Sequence, residues 1–87
     1  MATPLRVRAG DLSWQALHDE VVVLDLATSR YLSLNGTAAR LWALLVDGAR
    51  VDELVADLTA HFDIPEPEAR SDVVAFLDQC RELGLVE

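Results

Sequence analysis

With 87 residues, 52% of them hydrophobic and 25% charged, the chain has room for one domain and is too apolar to be natively disordered. Its formal net charge of -8 opposes partners whose affinity comes from neutralised phosphates, so nucleic acid and anionic membrane are excluded as expected partners. No apolar run approaches the ~20 residues needed to cross a bilayer, and Met1-Ala2-Thr3-Pro4-Leu5-Arg6 has no apolar stretch of signal-peptide type, so the expected compartment is the cytoplasm.

In chain order, Leu12-Ser13-Trp14-Gln15-Ala16-Leu17 and Glu20-Val21-Val22-Val23-Leu24-Asp25-Leu26 are short, rich in β-branched or bulky residues and separated by His18-Asp19. They predict the two strands of a hairpin over residues 12–17 and 20–26. A turn at Ala27-Thr28-Ser29-Arg30 leads to a third strand over residues 30–34, where Leu32 and Leu34 share one face and Tyr31 and Ser33 the other. Connections this short favour antiparallel neighbours in the order one, two, three, which leaves the third strand at an edge.

Near residue 35 the hydrophobic period becomes helical. Asn35 is placed to cap a helix over residues 36–47 in which Ala38, Leu41, Trp42, Leu45 and Val46 recur at spacings of three and four, and Gly48 suits its end. Asn35-Gly36 also has the composition of a hairpin turn, but the helical pattern begins at once and the cap reading is preferred. A second helix over 51–62 carries Leu54, Val55, Leu58 and Phe62 on one stripe, with Asp52 and Glu53 near its start. Pro65 and Pro67 break the chain before a third helix over 66–83, whose apolar face is Ala69, Val73, Phe76, Leu77, Cys80 and Leu83. Gly84 stops it, and Leu85 is expected to fold back on the last turn as a Schellman motif. The whole of residues 1–87 is therefore expected as a single α+β domain, winged helix-turn-helix-like, with a three-stranded antiparallel sheet followed by three α-helices.

Chemistry-bearing groups are few. Cys80 cannot form an internal disulfide, and with only His18 and His61 beside it there is no spaced ligand set for a metal. Cys80 and His61 fall on different helices with no third group to orient them, no Gly-rich phosphate loop is present, and Cys80 reads as a small buried hydrophobe. No enzyme activity, metal or cofactor is expected. A DNA-binding winged helix would need Lys or Arg on the helix after the turn, and residues 51–62 contain none. A carrier protein would need a Ser at a helix start, whereas Ser13, Ser29 and Ser71 fall in a strand, a turn and a helix interior.

The block Asp19-Glu20-Val21-Val22-Val23-Leu24-Asp25-Leu26, followed by Ser29-Arg30-Tyr31-Leu32-Ser33-Leu34-Asn35 and Thr37-Ala38-Ala39-Arg40-Leu41-Trp42, resembles the hallmark stretch of the PqqD-like family, named for a pyrroloquinoline quinone biosynthesis protein. Val51-Asp52-Glu53-Leu54-Val55 and the ending Phe76 to Val86 are similar as well, so the resemblance spans nearly all of the chain after residue 12. One departure is Arg50, where the family pattern suggests a small capping residue such as Thr.

The resemblance implies a RiPP recognition element, a domain that binds the leader of a ribosomally made precursor peptide, most like the stand-alone leader-binding proteins of lasso-peptide biosynthesis. An alternative within the same family is a pyrroloquinoline quinone precursor-peptide chaperone. It implies further that the leader adds as a fourth strand to the bare edge formed by Arg30, Tyr31, Leu32, Ser33 and Leu34, and lies along the third helix beside Asp72, Val73, Phe76, Leu77 and Cys80. Strand addition is what an unpaired edge allows on physical grounds. Helical spacing assigns most of the area of Val73, Phe76 and Leu77 to the core. Tyr31 reads either as a cross-strand surface aromatic or as a peptide contact, and Arg30 also suits a turn charge. Partners implied by the resemblance are the precursor leader, a leader peptidase of the cysteine-protease type and the cyclase downstream.

Overall fold

Three antiparallel strands come first and three helices follow, as the change of period near residue 35 requires. The structure, a computed structural model, describes residues 4–8, 10–18 and 20–86; Asp19 and residues 1–3, on which part of the reading of the hairpin turn and N-terminus falls, lie outside the described residues. The strands are β1 (Leu12–Leu17), β2 (Glu20–Asp25) and β3 (Arg30–Asn35), and the helices are α1 (Gly36–Asp47), α2 (Val51–Phe62) and α3 (Glu66–Glu82). The sheet has the order β1-β2-β3, with Trp14 opposite Val23 and Val23 opposite Leu32.

That register places Val21, Val23, Leu32 and Leu34 on the face toward the helices, and Leu24, Tyr31 and Ser33 on the other. Val23 and Leu34 are buried in the core with Leu41, Trp42 and Leu45 of α1, Leu54 and Leu58 of α2, and Val73, Leu77 and Cys80 of α3. Trp42 lies beneath the sheet, its ring edge-on to Trp14 of β1 at 5.7 Å between centroids. β3 packs on β2 and α1, whereas α3 packs chiefly on α2. The two walls that matter below thus belong to different layers of the fold.

Local chemistry sets the ends of the elements. Asp25 ends β2 because its Oδ1 accepts the Ala27 N–H at 3.0 Å and turns the chain, so Leu26 falls outside the strand. Asn35 holds the N-cap position of α1 but makes no side-chain capping bond there, so helix one starts without the cap expected of it. At α2 the missing small cap is offset by Glu53, whose Oε1 accepts the Arg50 N–H at 2.8 Å. After α3, Gly84 takes a φ of 70°, its N–H donates to the Arg81 carbonyl and that of Leu85 to the Cys80 carbonyl, which is the Schellman pattern.

The N-terminal segment has a role that no sequence pattern suggested. Leu5 bridges Ala49 between α1 and α2, Val7 bridges Val86, and the Arg8 N–H donates to the Leu85 carbonyl at 2.8 Å. Arg6 lies over the end of α1 and donates to the Asp47 carbonyl at 3.3 Å. Two apolar residues alternating with two arginines make too short a run to register as a strand, yet Val7 is buried in the core.

A cleft between the open sheet edge and the third helix

Along its far side β3 has no neighbouring strand among the described residues, so the main-chain N–H and C=O groups of alternate residues there face outward. Between this edge and the end of α3 lies a cleft of about 380 Å³. Its sheet side is formed by Val23 and Asp25 of β2, Thr28 of the turn and Arg30, Tyr31 and Leu32 of β3; its helix side is formed by Glu82, Leu83 and Leu85. The cleft exists because β3 rests on α1 while α3 rests on α2, leaving the two elements splayed at this end.

The edge residues differ in what they offer. Leu34 is buried and belongs to the core, Leu32 is half-buried with its free surface in the cleft, and Tyr31 is 75% exposed. Arg30 and Ser33 are exposed, and the Ser33 hydroxyl donates to the Glu20 carboxylate across the outer sheet face at 2.8 Å. Electrostatics vary along the cleft. Asp25 is buried and pairs with Arg8 at 3.4 Å, so it is partly neutralised, whereas Glu82 is exposed at the helix end and Arg30 at the strand start. The cleft therefore has an apolar floor with an acid and a base at its rim.

On α3 the apolar residues singled out by spacing are occupied with the core. Val73, Leu77 and Cys80 are completely or almost completely buried, and Phe76 keeps a small exposed fraction of 7%. Burial pushes the Cys80 thiol up to about 11, so it is a neutral, inert filler at neutral pH. Asp72 is exposed, and ten residues of helix, ~15 Å, separate it from Glu82. Spacings of four and seven put Asp72, Phe76 and Leu83 along one side of α3. The structure thus brings Arg30, Tyr31 and Leu32 into one cleft with Leu83 and Leu85, and sets Asp72 farther along the same helix.

Sequence reasoning missed Val23, Asp25, Thr28, Glu82, Leu83 and Leu85 as cleft residues. Two usable signals were present: the Schellman stop fixes Leu83 and Leu85 at the end of α3, and inward parity with Val21 and Val23 marks Asp25 as an acid on the core face. Among the described residues, no group of three His, Cys, Asp or Glu side chains is placed to hold a metal ion, and no helix is long and apolar enough to cross a membrane.

Comparison with known proteins gives a consistent result. Residues 20–86 match the family described as coenzyme PQQ synthesis protein D (PqqD). The solved structure of TbiB1 in complex with the TbiA(beta) leader peptide is 29% identical, with a TM-score of 0.87, and the match covers 94% of each chain. A lasso peptide synthetase B1 complexed with the leader peptide is 26% identical, with a TM-score of 0.84 over 97% of this chain and 98% of that one. No curated protein matches the chain significantly.

Proposed function

Because the chain belongs to the PqqD family, we propose that it is a RiPP recognition element that binds the leader of a lasso-peptide precursor by strand addition to β3. The observation that carries this reading is the bare β3 edge bordering a half-apolar cleft. An extended leader laid against Arg30 to Leu34 would complete the main-chain hydrogen bonds, and its alternate side chains would enter the cleft against Leu32, Leu83 and Leu85. Main-chain pairing supplies sequence-tolerant affinity, and the cleft supplies discrimination. Asp72, Val73, Phe76, Leu77 and Cys80 form the helix side farther along, where Asp72 and the rim of Phe76 are the groups with surface to offer and the other three hold the helix in place.

The lasso-peptide assignment is preferred to a pyrroloquinoline quinone precursor chaperone because both solved relatives are held with leader peptides and one of them is a lasso peptide synthetase B1. In this role the domain presents its precursor without catalysing a reaction. It hands the precursor to a leader peptidase of the cysteine-protease type and then to the cyclase, in the cytoplasm where precursors are made. The acidic balance favours encounter with a leader that carries Lys or Arg.

Isothermal titration calorimetry with synthetic leader and core segments of a lasso precursor encoded beside this chain tests the reading. The expected result is one leader bound per chain and no binding of the core segment; a leader that gives no heat and no competition removes the proposal.

A further inference from the structure

The two walls of the cleft do not hold each other. β2 and β3 pack on α1, α3 packs on α2, and no strand of the sheet shares a principal contact with α3. A residue outside both walls spans the gap between them. The Arg8 N–H donates to the Leu85 carbonyl at 2.8 Å, and its guanidinium Nη2 donates to Asp25 Oδ1 at 3.4 Å. Leu85 lines the helix side of the cleft and Asp25 the sheet side.

The other terminal nitrogen of Arg8 reaches α3. Nη1 lies over Gly84, where a Cβ would come within 3.7 Å of it, so the cation sits at the carbonyl end of a 17-residue helix, the end that favours positive charge. Asp25 Oδ1 also accepts the Ala27 N–H, and Asp25 stands opposite Arg30 in the β2–β3 register. One guanidinium thus joins the turn that launches β3 to the end of the facing helix. Its placement is not that of a solvated surface arginine: the side chain is 30% exposed, and Nε is buried with no hydrogen-bond partner among the described residues. A lysine would bring the charge but not the fork, because an ammonium is a single point where a guanidinium presents two separate terminal nitrogens.

We propose that Arg8 is a positioning residue for peptide binding: by joining Asp25 to the end of α3 it fixes the spacing of the cleft walls, and with it the size of side chain that the cleft accepts. This rests on the reading of the cleft as the leader site and concerns its selectivity. Main-chain pairing along β3 needs no contribution from Arg8. Any substitution other than proline keeps the bond from the residue 8 N–H to Leu85, so a variant at this position tests the guanidinium alone.

Spin labels at Thr28→Cys and Glu82→Cys, both exposed and on opposite sides of the cleft, read the wall spacing in the full chain by double electron–electron resonance, without peptide. The buried Cys80 thiol stays unlabelled, and intact mass verifies two labels per chain. Arg8→Met, which keeps the apolar stem, should broaden the distance distribution, and Arg8→Lys should recover it in part. Selectivity is read by titration with an alanine-scanned synthetic leader of the lasso precursor encoded beside this chain. Removing a cleft-filling leader side chain should cost the parent roughly tenfold or more in affinity, as burial of a large apolar group predicts, and should cost the Arg8→Met chain far less. Asp25→Asn should act in the same direction in the parent and add nothing in the Arg8→Met chain, since the attraction it weakens is already gone. Circular dichroism verifies folding at the assay temperature. An unchanged distance distribution in Arg8→Met overturns the proposal, as does an affinity loss equal at every leader position or an Asp25→Asn effect that simply adds. The distance measurement uses no peptide, so a parent that binds no leader removes the functional reading while the wall-spacing result stands by itself.

Discussion

Backbone methylation of the leader separates strand addition from any mode in which the peptide binds through side chains alone. β3 has six residues, and half of them, three, turn their main-chain groups toward the open edge. A leader paired with them alternates likewise, one residue bonding inward and the next facing solvent. Replacing an inward N–H by N–CH3 removes one hydrogen bond, worth about 0.5 to 1.5 kcal/mol net, and wedges a methyl between strands that sit about 4.8 Å apart. Together these costs come to about 1 to 2 kcal/mol, or roughly five- to thirty-fold in Kd, while a methyl on a solvent-facing amide costs little. The assay is competition of singly N-methylated leaders against a fluorescent leader, read by anisotropy. A sawtooth with a period of two residues is expected over the segment that pairs with Arg30 to Asn35. A period near 3.6 would mean a helix in the cleft, and a flat profile would mean contact through side chains only; either result refutes main-chain pairing.

Two further outcomes follow from the interior. Phe76→Ala empties a core position that is 7% exposed, which costs about 3 to 5 kcal/mol and should lower the thermal midpoint by about 12 °C or more in a domain of this size; a drop of a degree or two by circular dichroism would mean that α3 does not depend on it. The Arg40 guanidinium, in a two-pronged hydrogen bond at 2.8 and 2.9 Å that ties α1 to α2, holds the Asp57 carboxyl below the usual carboxylate range. Its stabilisation is therefore complete above the unfolded carboxylate pKa of about 4 and is lost as pH falls through the lower folded value. Asp57→Asn should melt earlier at neutral pH and lose less on acidification than the parent; parallel acid limbs in the two pH series would refute the coupling.

The elements were legible because each carries its own period and punctuation. A β-branched, bulky run in residues 20–25, alternation in 30–35, a stripe at three and four in each helix, and Gly48, Pro65 and Gly84 at the breaks all point to one arrangement. The strand and helix ends moved by a single residue at β2, β3 and α3, each for a tertiary or capping reason such as the Asp25 turn. The N-terminal bridges of Leu5 and Val7 were invisible, since their partners lie 44 and 79 residues away and the run itself is too short to have a period. For the cleft, sequence could show which stripe of α3 is apolar but not how far that helix leans from β3. The lean depends on α1 and α2 lying between them. It is why Leu83, Leu85 and Glu82 face the open edge while Val73, Leu77 and Cys80 face inward.

The bridge between Val7 and Val86 also constrains the order in which the chain can be completed. Strands and helices close over neighbours made moments earlier, but this tie joins residues 79 positions apart. A nascent chain can therefore finish its sheet and most of its helices on the ribosome and still lack the pinned Leu85 that lines the cleft. Competence to take up a peptide therefore waits until the segment around Val86 has emerged and met Val7.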